Sequence, residues 1–481
     1  MRELTLGLEK MPLYEQVAQY IHGLVNIGTL EPGDKAPSLR GISKQQGISI
    51  STALQAYRLL EDRGVLEARP KSGYFVSKTH LIELAEPAAS TPQIRAESVT
   101  ISDTLLELMG HASNPDMAPL GCAIPSAELL AANRLDRFLS RAARHYGQQH
   151  NVYSTPQGES QLRQAIAKRG MGQGLSVSAD EIMVTSGCTE ALGLALKALT
   201  KPGDTVIVES PTYFGILHLL ESLRLKVLEL PTSPVTGIDI AALASALSGH
   251  GVAACLLSSC FNNPMGFSIT DDAKRDILEL LWQHQVPLIE DDIYGELFFS
   301  AKRPRPFSAF DTKGNVIYCS SFSKTVAPGY RVGWIIPGSH MRSVLKNKMA
   351  QSLCCPILPQ IAIAEYLKEG GYDHHLRRIR RTFQLNINKM RRAIGQNFPN
   401  STKVTNPEGG FVLWLELDKK MDTRHLLEQA LQMGICFAPG DVFSPSAQFS
   451  NCLRLSCGHE WNKRIDNAVD SLAELLKPQG V

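Results

Sequence analysis

Between residues 320 and 333 the chain reads Ser320-Ser-Phe-Ser-Lys324-Thr-Val-Ala-Pro-Gly-Tyr-Arg331-Val-Gly333. A lysine that follows a serine is usually a solvated surface residue. Here, two hydroxyls (Ser321, Ser323), the Lys324 amine and the Arg331 guanidinium fall in one short stretch. Hydroxyls and a guanidinium hold phosphate, and a lysine amine condenses with an aldehyde. Together they suit a phosphorylated aldehyde.

The string resembles the Ser-x-Ser-Lys-x3-Pro-Gly-x-Arg-x-Gly motif of the fold-type I, aspartate-aminotransferase-like family of pyridoxal 5'-phosphate (PLP) proteins. The resemblance implies that Lys324 forms the internal aldimine, a Schiff base, while Ser321, Ser323 and Arg331 hold the phosphate. PLP is an electron sink only when its pyridine nitrogen stays protonated, so a buried carboxylate must face it. In Glu290-Asp291-Asp292-Ile-Tyr294 the family's Asp-x-x-Tyr spacing picks Asp291 for the nitrogen and Tyr294 for the ring hydroxyl. An acidic loop after a strand is otherwise commonly a helix cap. Asn262-Asn263-Pro264-Met-Gly266 matches the family's Asn-Pro-x-Gly turn, which implies that Asn263 contacts the ring hydroxyl.

Thr185-Ser-Gly187-Cys188-Thr189 joins a strand to a helix, whose N-terminus favours an anion. By resemblance Gly187, Cys188 and Thr189 meet the phosphate, although Cys188-Thr189 stands where Ser-Gln is common. Tyr213, in Ser210-Pro-Thr-Tyr213, matches the aromatic ring that stacks on the cofactor. Tyr153 matches the tyrosine that reaches the phosphate across a dimer interface, which implies a homodimer with shared sites. Arg454, in Asn451-Cys-Leu-Arg454-Leu-Ser456, matches the arginine whose planar fork clamps an amino acid's α-carboxylate. A strand-borne arginine can equally be a surface ion pair. No metal site is expected.

Such residues need a frame. Seven apolar runs alternate with helical patterns: Ile182-Met-Val, Val206-Ile-Val, Val227-Leu-Glu-Leu, Ala253-Ala-Cys-Leu-Leu, Pro287-Leu-Ile, Val316-Ile-Tyr and Val332-Gly-Trp-Ile-Ile. The alternation predicts an α/β fold with a mostly parallel sheet covered by helices. The resemblance makes it the PLP-dependent transferase fold type I. A long helix from about Tyr372 and strands near 411–417 and 452–456 predict a smaller α+β part. The expected boundaries are 103–481 for the PLP-binding domain, with its large part at about 150–340 and its small part at about 103–149 and 341–481. Residues 79–102, which include Glu86-Pro-Ala-Ala-Ser-Thr-Pro92, have a linker's composition.

Ahead of the linker, residues 1–78 predict three helices and a hairpin, a winged helix-turn-helix. The stretch from Asp34 to Tyr74 resembles the GntR type in Pro37-Ser-Leu-Arg40, Gly47-Ile-Ser49, Thr52, Ala56-Tyr57, Gly64 and Ser72-Gly73-Tyr74. DNA binding there needs base-reading side chains on the second helix of the pair and phosphate donors around it. The candidates are Ser38, Arg40, Lys44, Ser49, Ser51, Thr52, Arg58, Lys71, Gly73 and Tyr74. The alternative is a protein-interaction or dimerisation element.

Charge bears on that choice. The 481 residues carry 49 Lys and Arg against 47 Asp and Glu, a net +2 that by itself argues for an enzyme over a nucleic-acid binder. That average hides a local excess. Residues 34–78 hold eight basic and four acidic residues, while the 403 residues beyond them balance at 39 of each. The positive excess falls where phosphates are expected. The ten cysteines form neither metal knuckles nor a disulfide framework, which predicts reduced thiols in a cytoplasm. No apolar run approaches the ~18 residues of a membrane span.

A GntR-type winged helix linked to an aminotransferase-like domain is the layout of the MocR subfamily of bacterial transcription regulators, which the chain resembles over nearly its whole length. The resemblance implies a cytoplasmic homodimer that binds double-stranded operator DNA and senses PLP, in some members with an amino acid or amine effector. A working aminotransferase with an appended DNA-binding module stays open, since Lys324, Asp291 and Arg454 would supply proton shuttle, sink partner and carboxylate clamp. A scaffold that no longer binds PLP is disfavoured by the intact motif set.

Overall fold

The computed structural model describes residues 12–62, 64–69, 72–77, 84–99, 110–111, 114, 116–446 and 448–477. They fall into two compact units, Met1–Leu84 with Leu385–Asn400 and Val469–Val481, and Ala85–Gln384 with Ser401–Ala468. The first unit thus takes in two C-terminal stretches outside the expected 1–78. Fading periodicity marks where a local pattern ends, and long-range packing leaves no such mark.

In the first unit, α1 (Leu13–Asn26), α2 (Leu39–Gln46) and α3 (Ile50–Asp62) precede an antiparallel hairpin of β1 (Leu66–Arg69) and β2 (Gly73–Val76), with Leu66 opposite Val76. Ser38 Oγ accepts the Gly41 N–H at 3.0 Å and starts α2. Gly47, at φ 64°, ends α2 in the left-handed conformation that glycine adopts without strain. Ser49 Oγ then accepts the Thr52 N–H at 3.1 Å and caps α3. Val17, Ile21, Ile42, Ala53, Leu60 and Val76 form the core around a fully buried Tyr57. Its hydroxyl donates to Pro37 O at 2.6 Å, and its ring meets Tyr74 edge-on at 5.1 Å. The expected winged helix is present.

The second unit is built on a large sheet of β3 (Glu97–Ser98), β5 (Met183–Thr185), β6 (Thr205–Ser210), β7 (Lys226–Ser233), β9 (Val252–Ser258), β10 (Leu288–Asp291), β11 (Val316–Ser321) and β12 (Gly333–Ile336), with the short β8 (Gly237–Ile238) beside β7. A short β4 (Ala118–Pro119) lies outside this sheet. The order is β3-β7-β6-β9-β10-β11-β12-β5. The five strands from β7 to β11 are parallel, and β12 runs against both of its neighbours. All seven apolar runs became strands of this sheet. The helix Cys188–Leu199 buries Ala191, Leu194 and Ala195 in the core formed with Val206, Ile289 and Ile317.

The segment expected as a linker is not a free tether over its described residues, 84–99. Ser90 N–H donates to Thr232 O at 3.0 Å, Thr232 N–H returns to Ser90 Oγ at 2.8 Å, and Glu97 pairs with Val227 of β7. Proline-rich composition suits an edge strand as well as a tether. A four-stranded antiparallel sheet, ordered Lys403–Val404, Val412–Glu416, Cys452–Ser456 and Ala438–Pro439, forms the smaller part.

Because their strands are parallel, Ser210, Ser258, Asp291 and Ser321 all end on one edge of the large sheet. Ligands of open α/β sheets bind outside such an edge.

Candidate functional site

Lys324 lies three residues past the end of β11, and its Nζ donates to Ala123 O at 2.6 Å. Lost hydration brings its amine down to about 8, with the neighbouring Arg454 and Arg331 acting in the same direction. The neutral, nucleophilic form is therefore accessible near neutral pH. Asp291, the last residue of β10, accepts the Ile293 N–H at 3.2 Å and the Cys188 thiol at 3.5 Å. Burial pushes its carboxyl up to about 6 against the pull of those donors. A cation facing it would keep it ionised.

Arg454, on the strand Cys452–Ser456, is fully buried. Its Nη1 donates to Asn263 Oδ1 at 2.9 Å and its Nη2 to Gly121 O, while Nε has no partner among the described residues. No described carboxylate forms an ion pair with it, so the surface-ion-pair alternative does not hold. A buried, unpaired cation costs several kcal/mol, which an anionic ligand would offset. Asn263 also bonds Tyr294, whose hydroxyl burial holds well above the usual phenol range. Tyr294 packs edge-on against Phe411 at 5.5 Å.

A second anion cradle lies at the start of the helix Cys188–Leu199. Gly187 precedes that helix at φ 85°, and a Cβ on it would come 2.5 Å from Arg331 Nη2. Arg331 donates to Ser186 O at 2.8 Å, so the guanidinium lies directly on the turn. Only glycine leaves room for both.

Of the expected cofactor residues, Cys188, Thr189, Tyr213, Asn263, Asp291, Tyr294, Ser323, Lys324 and Arg331 line one cavity of about 230 Å³, together with the expected carboxylate clamp Arg454. Gly187 contributes its backbone beneath Arg331. Two others of the expected residues lie outside that lining. Ser321, the last residue of β11, is buried outside the cavity lining, and its Oγ accepts the Ser323 N–H at 3.2 Å. Tyr153 is 84% exposed and does not line its own chain's cavity.

Sequence reasoning passed over Cys122, Ala123 and Ile124, which form one wall. Nothing in their types marks them. It also passed over Glu209, fully buried at the end of β6, whose Oε1 accepts the Ser258 N–H at 2.7 Å. Burial raises that carboxyl to about 8. An acid in the run Val206-Ile-Val-Glu209 was a usable signal.

In the winged helix, Arg40, Lys44, Ser49, Ser51, Arg58 and Gly73 are exposed, and Thr52 is half-buried. Ser49 Oγ lies 2.7 Å from Ser51 Oγ and 2.8 Å from Thr52 Oγ1, so these hydroxyls form one cluster at the start of α3. Ser38 and Ser49 act as caps, and half-buried Tyr74 packs on Tyr57. Lys71 lies outside the described residues. Sequence reasoning missed Arg69, whose guanidinium stacks 4.2 Å from the Phe75 ring centroid beside that hairpin.

The donors fit a phosphorylated pyridine aldehyde: a turn that a Cβ would fill, and around one cavity a buried carboxyl, an amine and an arginine with an orphaned Nε. No helix among the described residues is long and apolar enough to cross a membrane.

Residues 126–472 match the family described as aminotransferase class I and II, and residues 13–76 match the gntR family of bacterial regulatory proteins. The uncharacterized HTH-type transcriptional regulator YdcR of Escherichia coli K12 is 37% identical over 97% of this chain and 99% of its own. The HTH-type transcriptional regulator NorG of Staphylococcus aureus USA300 is 27% identical over 92% and 99%. Among solved structures, LysN from Thermus thermophilus, an α-aminoadipate aminotransferase complexed with N-(5'-phosphopyridoxyl)-L-leucine, is 27% identical. It covers 78% of this chain and 95% of its own, at a TM-score of 0.73.

Proposed function

The chain belongs to the MocR-like family, in which a gntR-type winged helix is fused to an aminotransferase class I and II domain, and on that premise we propose that it is a DNA-binding transcription regulator whose second unit senses PLP together with an amino compound. The observation that carries the sensing half is Arg454, a buried guanidinium without a carboxylate partner among the described residues, in the same cavity as the Lys324 amine. A site that kept only a scaffold role would have no reason to retain that cost.

When bound, PLP supplies an aldehyde for amines and a ring that takes up electrons. This chain's residues do the rest. Lys324 would offer the amine for the aldehyde, and Asp291 would keep the pyridine nitrogen protonated. Arg331, the Gly187 turn and Ser323 would hold the phosphate. Tyr294 and Asn263 would contact the ring hydroxyl, Tyr213 would stack on the ring, and Arg454 would bind a carboxylate. The exposure of Tyr153 supports its service to the partner subunit of a homodimer. In the first unit, Arg40, Lys44 and Arg58 present phosphate donors around α3, whose exposed Ser49 and Ser51 face a groove.

Two measurements on purified protein test this reading. Reconstitution with PLP should give a yellow protein, and the protein should retard DNA from upstream of its own gene. A colourless protein that leaves the DNA free would refute it. Because Lys324, Asp291 and Arg454 share one cavity, a second reading is a turning-over aminotransferase. Steady conversion of an amino acid with a 2-oxo acid, at rates ordinary for enzymes, would favour that reading.

A further inference from the structure

Beside the cofactor cavity lies a second, larger chamber of about 450 Å³. The two share Cys122, Ile124 and Pro328 as a common wall. Their sizes divide the work. At about 230 Å³ the first lies below the ~300 Å³ at which small-molecule pockets usually begin, and the second adds about twice that volume beside it.

Hydrogen bonds then set the direction in which a ligand must extend. Arg454 Nη2 donates to Gly121 O, and Lys324 Nζ donates to Ala123 O. The carboxylate clamp and the amine-bearing lysine therefore both rest on residues 121–123. An α-amino acid whose carboxylate meets Arg454 and whose amine takes the place of Lys324 Nζ places its Cα beside Cys122. Beyond Cys122 is the larger chamber.

The chamber's chemistry selects what enters. Ala118, Pro125, Leu130, Leu135 and Val326 give it an apolar lining, and no lysine or arginine is among the described residues that line it. Among the described residues its carboxyl and imidazole groups are His111, Asp136 and His459. Burial lowers His459, which therefore stays neutral at physiological pH, and Asp136 repels an acid. Buried Ser126 Oγ and Tyr330 Oη, both without partners among the described residues, offer neutral hydrogen bonds. A side-chain carboxylate would be desolvated there without a counter-charge, and a large neutral side chain would gain apolar contact.

From this we infer that the effector is an α-amino acid with a bulky, uncharged side chain, its carboxylate on Arg454 and its side chain in the chamber beyond Cys122. The inference rests on the reading that the cofactor cavity takes an amino compound.

The test is isothermal titration of PLP-loaded full-length protein with L-phenylalanine, L-leucine, L-glutamate and L-aspartate, repeated on Leu130→Arg. The expected result is that the two neutral amino acids bind at least about tenfold more tightly than the two acidic ones. Leu130→Arg, which brings a cation to a half-buried chamber position, should narrow or reverse that ratio while PLP still loads. Equal or tighter binding of the acidic pair to the unmodified protein, or a ratio unmoved by Leu130→Arg, would overturn the chamber assignment and leave amine sensing intact. Failure of all four to bind a protein that loads PLP would overturn both.

Discussion

The Cys188 thiol donates to Asp291 Oδ1 at 3.5 Å, where the start of the helix Cys188–Leu199 meets the end of β10. A side chain expected at the phosphate thus also meets the carboxyl expected to face the pyridine nitrogen. The phosphate keeps the turn's backbone and the Arg331 guanidinium. Burial is the main force raising Asp291, and the thiol is one of the donors opposing it. Cys188→Ala removes that donor and should move the Asp291 midpoint above about 6, whereas Cys188→Ser restores a hydroxyl donor and should not. A pH titration of the cofactor-free protein, followed by the carboxyl carbon resonance of Asp291, reads the difference. Coincident titrations of the alanine variant and the unmodified protein would contradict it.

Gly187→Ala combines strain at φ 85° with a Cβ 2.5 Å from Arg331 Nη2. Backbone strain of this kind costs roughly 1–3 kcal/mol, so PLP affinity should fall by about tenfold or more while the winged helix still binds DNA. Quenching of protein fluorescence by added PLP gives the affinity.

Lys324 should make PLP capture pH-dependent. Its amine is lowered to about 8, so the nucleophilic neutral form grows as pH rises through that value. The rate at which cofactor-free protein takes up PLP should rise between pH 7 and 9 and level off above, as stopped-flow absorbance would show. A rate that is flat across this window would contradict the assignment. Lys324→Ala should lose the yellow colour altogether.

Arg40 is exposed at the start of α2 and forms no part of the winged-helix core. Arg40→Ala should weaken DNA binding, lower the salt dependence by about one unit of slope and leave PLP loading unchanged. Equal DNA affinity at low salt would remove Arg40 from the interface.

Much of this molecule is legible in its residue order, for physical reasons. The strands of the large sheet read clearly because both faces of a parallel sheet are buried, which makes each strand a continuous apolar run. Gly47 and Ser49 marked the helix-turn-helix because a left-handed turn and a cap each demand a narrow set of residues. Lys324, Asp291 and Arg454 could be placed because each belongs to a motif with fixed spacing. Cys122–Ile124 could not, since only the fold brings an ordinary apolar segment against Lys324. Residues 84–99 misled for a related reason: their hydrogen bonds run to partners such as Thr232, and no local pattern records them.

A regulator of this kind couples cofactor loading to DNA binding in one chain. Fluorescence anisotropy of DNA from upstream of its own gene, titrated with full-length protein in the presence and absence of PLP, measures that coupling directly. PLP should shift the affinity of the unmodified protein several-fold and leave that of Lys324→Ala unchanged. Identical affinities for the unmodified protein with and without PLP, under conditions where absorbance shows the cofactor loaded, would contradict it.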